Sequence, residues 1–227
     1  MSQNTGKHTH FSRFNPRAAN LFTLHDKKLH SQRRRYIGIA FSEASVARFE
    51  DRLLFHIVRF CDQICPSESR IPGKWSSPLK MSDWAAYLIF DTLTEFLFST
   101  DYNLLGSKQD RHIIRHIQEH IIRPAVCTYM PILALLKIDK FLFKKATKST
   151  RVFWRWVKNA IAARTNRHVE SRDVFTHIQM SRKSELSPTI GIQSETGMFI
   201  VAGELLNSNS TAIECKRYAY HRDTYRA

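Results

Sequence analysis

The densest set of chemically useful side chains lies in residues 24–42, where His30 precedes Arg33, Arg34 and Arg35 and an apolar run follows. His30 and Arg34 are four residues apart, so on a helix both project from one face about 6 Å from each other. The rigid donor fork of an arginine matches the paired oxygens of a carboxylate or phosphate. With Leu29, Tyr36, Ile37 and Ala40 near helical spacing, the stretch reads as a helix built to hold an anion against a core. Taken alone, three consecutive arginines fit a solvated or phosphate-binding surface equally well.

A second constellation is His112, His116 and His120, each four residues from the next. Such a stripe can chelate a transition metal. Ile113, Ile114, Ile117, Ile121 and Ile122 supply the apolar side of the same helix, so the spacing predicts a solvent-facing row of histidines rather than a metal site. The four cysteines, Cys61, Cys65, Cys127 and Cys215, form no Cys-x-x-Cys pair. Their scatter suits a reducing compartment and gives no disulfide framework.

The elements that must position these groups are helical. The first helix is expected from Asp26 to Ile39, and a second from Ser42 to before Pro66, capped by Ser42 and carrying Val46, Phe49, Leu53, Ile57 and Phe60. Cys65 to Lys80 reads as a loop anchored by Trp75. A deeply buried third helix starts at Ser82 and a fourth runs from Lys108 to Arg123. Pro124 and Pro131 break an apolar stretch that reaches Ile138, which reads either as core or as part of a cavity roof. A long basic helix spans Asp139 to His168, a short one Arg172 to Met180, and an apolar one opens at Glu195 after a polar loop. Residues 1–20 read as loose and residues 212–227 as a basic tail without apolar periodicity.

With 227 residues, 43% of them hydrophobic, and only 7 Gly and 7 Pro, the composition is that of a mainly α globular chain with one sizeable core. A net charge of +15 brings nucleic acid or an anionic membrane into consideration as partners. In residues 139–168 basic side chains interleave with Phe153, Trp154 and Trp156, a pattern that also describes an amphipathic helix whose Lys and Arg stems lie over a core. No secretory signal opens the sequence, and no apolar window is long enough to cross a bilayer.

Several motifs share one resemblance. His30-x-x-Arg33-Arg34-Arg35 followed by Ala40-Phe41-Ser42 resembles the C-helix of the haem-thiolate monooxygenases, the cytochrome P-450 family, in its fungal form. Residues 74–91, from Lys74-Trp75 through Asp83-Trp84 to Phe90-Asp91, resemble the loop and E-helix, and Asn103-Leu104-Leu105 the turn after it. Val201-Ala202-Gly203 resembles the start of the I-helix. The resemblance covers about residues 11–203 and implies a partial cytochrome P-450 fold, C- to I-helix, over residues 21–211.

The resemblance implies that His30 and Arg34, helped by Arg35, hold a haem propionate, and that Ala202, Gly203 and Glu204 are a remnant of the I-helix oxygen site. It departs from the family after Gly203: Leu205 and Leu206 stand where an acid-Thr pair relays protons, and Glu204 is displaced by one position. No cysteine stands in a Phe-x-x-Gly-x-x-x-Cys-x-Gly loop, and Glu214 and Arg217 follow the I-helix motif too closely to be the family's Glu-x-x-Arg pair. The implied activity is oxidation of a lipophilic small molecule in secondary metabolism, with haem, dioxygen and electrons from an NADPH reductase, in a family typical of the endoplasmic reticulum membrane. Without the thiolate the chain is expected to be inactive alone. The alternative is a basic helical module that binds nucleic acid or an anionic membrane surface.

Overall fold

The computed structural model describes residues 19–64, 79–167, 173–182 and 188–204, and every regular element among them is a helix. Helix α1 (Lys27–Gly38) begins where the Asp26 carboxylate accepts the backbone N–H groups of Lys28 and Leu29 at 2.9 and 3.0 Å. Two of the donors that a helix start leaves open are thereby satisfied.

The single helix expected from Ser42 is two. A 3-10 turn (Ile39–Phe41) leads into α2 (Glu43–Ala47), and α3 (Glu50–Ile64) follows. Ser42 does not cap α2, because its hydroxyl bonds to that of Ser45 at 3.0 Å instead. The expected apolar stripe is not buried either: Val46, Leu53 and Ile57 are exposed and His56 is the buried residue of α3. The contact face of α3 is polar, pairing Arg52 with Glu95 at 3.5 Å and Arg59 with Asp101 at 2.8 Å.

Helix α4 (Met81–Phe98) is as buried as its sequence predicts, with Ala85, Ala86, Phe90, Asp91, Thr94, Leu97 and Phe98 all inside. It starts one residue before Ser82, which does not cap it; Lys80 stands at the boundary and pairs with Asp83 at 2.8 Å. The Asp91 carboxylate accepts the N–H groups of Leu104 and Leu105 at 2.9 and 3.0 Å. Arg111 donates to the carbonyls of the same two residues, so the turn after α4 is held by its donors and its acceptors.

Helix α5 (His112–Tyr129) continues through Pro124, where a stop was expected. Proline removes the N–H that would meet the carbonyl one turn earlier, yet the helix runs on, and one turn later the Thr128 hydroxyl donates to the Pro124 carbonyl at 2.8 Å. Helices α6 (Pro131–Leu135) and α7 (Asp139–Leu142) lead to α8 (Lys144–Thr165). The long helix expected from Asp139 is therefore interrupted at Phe143, whose backbone leaves the helical region. Residues 132–138 are largely exposed, which excludes a role as core.

Helix α9 (Val174–Ser181) is capped by Asp173, and α10 occupies residues 188–204, starting before the expected Glu195. The core runs through Phe90, Leu97, Phe98, Ile113, Ile117, Phe153, Val157, Phe175, Ile178 and Ile200. Helices α5 and α8 pack extensively together, while α1 leans on α9 and α3 on α4. Trp75 and most of its loop, the first 18 residues, and everything after Glu204, including Leu205, Leu206, Glu214 and Arg217, lie outside the described residues.

Candidate functional site

A cavity of about 710 Å³ opens between residues 20–23, α5, α8 and α10. Phe22, Ile121, Pro124, Phe153, Trp154, Met198, Val201 and Ala202 make most of its wall apolar, and Thr23, His120, Arg123, Thr150 and Ser194 add polar points. Gly197 shapes one side: a Cβ there would stand 2.7 Å from two atoms of the Trp154 indole, so only glycine admits the ring in this position.

Buried charge fixes the cavity's N-terminal border. Arg182 donates to Glu195 at 2.7 Å and to the Ala19 carbonyl at 2.8 Å. The other Glu195 oxygen accepts the Leu21 N–H at 3.0 Å. Arg33 donates to the same Ala19 carbonyl at 2.9 Å. The chain entering α1 is thus tied to α1, α9 and α10 together.

This bond separates the three arginines. Arg33 is buried and serves the fold, whereas Arg34 and Arg35 are exposed and make no hydrogen bond or ion pair among the described residues. His30 is half-buried one turn before Arg34 on the same face. Tyr36, expected in the core, is 44% exposed, while Ile37 and Ala40 are buried as expected.

The histidine row does not face solvent as a whole. His112 is exposed, but His116 bonds through Nδ1 to the Ser149 hydroxyl at 2.9 Å, and His120 through Nδ1 to the Thr150 hydroxyl at 3.0 Å. The His120 ring also stacks on Phe153 with centroids 4.8 Å apart. Burial and the nearby Arg123 push its pKa down to about 4. The expectation failed because the residues of α8 that meet the row, Ser149 and Thr150, carry hydroxyls that accept a histidine in place of an apolar neighbour.

The chain is 30% identical over 214 residues to a cytochrome P450 monooxygenase, poxM, of Penicillium oxalicum, covering 92% of this chain and 42% of the relative. It is 29% identical to a Gibberella zeae cytochrome P450 monooxygenase over 93% of this chain and 50% of that protein. The Aspergillus terreus cytochrome P450 monooxygenase ataY is 27% identical over 81% of both chains. No family model matches. Over nine-tenths of its length the chain is similar to fungal cytochrome P450 monooxygenases, consistent with a partial cytochrome P450. It spans between 42% and 50% of the length of the first two relatives.

The end of α10 meets both cavity and core. Ala202 borders the cavity. A Cβ on Gly203 would come within 2.7 Å of a Leu93 methyl, so the glycine lets α10 approach α4. Glu204 is fully buried, and burial raises its pKa to about 7 against the smaller opposing pull of the Gln118 side chain. Away from the cavity, His56, Asp91 and Asp101 bring potential ligand atoms within 4.8 Å of one another. Asp91 there serves the Leu104 and Leu105 N–H groups and Asp101 pairs with Arg59. The cluster is accounted for by the joint between α3, α4 and the following turn.

Gly197 and Thr150 escaped the sequence reading, which named His120 and Trp154 but placed neither on a cavity. Gly197 carried a signal, since an isolated glycine inside a helical pattern has a packing reason. The pairing of His120 with Thr150 depends on how α5 meets α8.

Proposed function

We propose that the cytochrome P450 to which these residues belong oxidises a lipophilic small molecule of secondary metabolism. The observation that supports this is the mainly apolar cavity of about 710 Å³ bounded by α5, α8 and α10, a size and lining suited to an apolar small molecule. Its polar points favour one orientation of the occupant over others.

The exposed arginines of α1, Arg34 and Arg35, fit a carboxylate. Arg34 presents a guanidinium without a partner among the described residues, with Arg35 beside it and His30 one turn earlier. In our reading Arg34 and His30 hold a haem propionate and Arg35 adds positive charge, because a bidentate fork is strongest against a carboxylate. The haem, carrying a thiolate ligand and fed by an NADPH reductase, supplies oxygen activation in this family. Ala202 borders the cavity, Gly203 packs against Leu93 of α4, and Glu204 would hold a proton on a carboxylate oxygen near neutrality. No cysteine of the 227 residues stands in the thiolate pattern, so we propose that this chain by itself does not turn over.

Transcript sequencing across the codons for residues 202–227, then expression of the longest product with haem and a reductase, tests the reading. A thiolate-haem carbon monoxide spectrum and NADPH-dependent oxidation of a lipophilic compound are expected. A longest product without that spectrum would overturn it. Titrating ferric haem into wild-type and Arg34→Ala protein tests the propionate assignment, which equal affinities would sink.

A second reading concerns α6 and α7. Tyr129, Leu135 and Phe141 are 87%, 69% and 71% exposed, and Lys137, Lys140 and Lys144 are exposed beside them. Apolar side chains next to cations suit an anionic lipid surface. The aromatics of α8 are buried or half-buried rather than exposed on its basic face, which disfavours nucleic acid. Co-sedimentation with anionic vesicles that falls with added salt is expected; no binding at low salt would exclude this reading.

A further inference from the structure

His120 lies on the cavity wall, and its hydrogen bonds determine which nitrogen carries the proton. The Thr150 hydroxyl owns one hydrogen and donates it to the Ala146 carbonyl at 2.8 Å. Toward His120, 3.0 Å away, Thr150 can then only accept, so the histidine Nδ1 must be the donor. In a neutral imidazole that leaves Nε2 as a bare acceptor. The ring is neutral at physiological pH, since burial and Arg123 hold its pKa well below the usual value. The Arg123 charge is itself compensated by Asp139, 2.6 Å away.

The orientation of the ring is fixed as well as its tautomer. Phe153 stacks on it at 4.8 Å, Trp154 meets it edge-on at 6.0 Å, and the Thr150 bond sets its rotation. Nε2 makes no hydrogen bond among the described residues and is not one of the atoms sealed from solvent. His116 repeats the arrangement one turn earlier, accepted by a Ser149 hydroxyl whose hydrogen goes to Glu119 at 2.6 Å. Of the two, only His120 borders the cavity.

We propose that His120 is a specificity-determining residue that offers a fixed Nε2 acceptor, selecting a lipophilic ligand that carries a hydroxyl or N–H donor over one that carries only a carbonyl or ether at that position. This rests on the reading of the cavity as the substrate site. Thr150 acts as a positioning residue, because its hydroxyl holds the tautomer and does not itself need to touch the ligand.

The test compares 1-hydroxypyrene with 1-methoxypyrene, two fluorescent probes that differ in one donor, on the whole 227-residue chain. Wild-type protein should bind the hydroxyl probe about three- to tenfold more tightly, the effect of one neutral hydrogen bond. His120→Phe, which keeps the stacking on Phe153, should bind both probes equally. Thr150→Val should weaken the preference, and Thr150→Ser should keep it. Histidine ¹⁵N NMR gives a readout that needs no variant to fold: His120 should show a protonated Nδ1 and an unprotonated Nε2. The opposite tautomer, or equal wild-type affinities, would overturn the role of His120 while leaving the cavity reading standing. Binding of neither probe would overturn both.

Discussion

Arg182 and Glu195 form an ion pair at 2.7 Å with both side chains removed from solvent, joining the residue after α9 to the middle of α10. Neither charge can be rehydrated if its partner is lost, so the pair costs far more to break than its net contribution suggests. Glu195→Gln keeps an acceptor for Leu21 but leaves the guanidinium without its counter-charge. A loss of about 3–5 kcal/mol in unfolding free energy is expected from urea denaturation. Adding Arg182→Met should cost clearly less than the sum of the two single changes, with a coupling of at least about 1 kcal/mol. Additive losses would show that the two charges are independently solvated.

The neighbouring arginines of α1 should separate in the same assay. Arg33→Met removes a charged donor from the Ala19 carbonyl, for which a loss of about 1.5–3 kcal/mol is expected. Arg34→Met removes an exposed side chain without a described partner and should stay within about 0.5 kcal/mol of wild type. Equal losses would place both side chains in the fold and remove Arg34 from the set free to hold a carboxylate.

These two arginines also mark where the sequence is legible. The existence of helix α1 and the burial of α4 follow from local chemistry: helical spacing in the first, apolar residues at every angle in the second. His30, Arg34 and Arg35 could be named from spacing and resemblance. Which of three identical arginines turns inward could not, because the answer lies in the Ala19 carbonyl and in Arg182, 149 residues away from Arg33 along the chain. Long-range partners likewise decided the histidine row. Pro124 misled in the other direction, since α5, packed along α8, runs on through a residue that locally reads as a stop.

Two glycines of α10 offer a direct comparison. At Gly197 a new Cβ meets the rigid six-membered ring of Trp154, and at Gly203 it meets the terminal methyls of Leu93, both at 2.7 Å. A leucine end can change rotamer, whereas an indole must move as a plate. Gly197→Ala should therefore cost about 1–3 kcal/mol, as overpacking does, and shift the tryptophan fluorescence. Gly203→Ala should cost less than about 1 kcal/mol despite the shared distance. The reverse order would mean that α10 and α4 cannot relax, and that the Gly203 contact is the tighter constraint.

Burial of Asp91 gives stability a defined pH dependence. Desolvation raises its pKa from 3.8 to about 6, against the pull of the Leu104 and Leu105 N–H groups. Between about pH 4 and pH 6 the folded protein holds a proton there that the unfolded chain has released. Stability from this group is therefore present at low pH and lost as pH rises through 6, by at most about 3 kcal/mol. His120 works in the opposite sense: its folded pKa lies below 6.5, so its contribution grows as pH rises from about 4 to 6.5. The two arms offset each other in wild type, and Asp91→Asn separates them. The variant is weaker overall, because an amide cannot accept both N–H groups, but its side chain does not titrate. Urea midpoints at pH 4, 5, 6 and 7 should show the stability advantage of wild type over Asp91→Asn shrinking as pH rises. An advantage that stays constant would mean that Asp91 keeps an ordinary carboxylate pKa and that the turn holding Leu104 and Leu105 admits water.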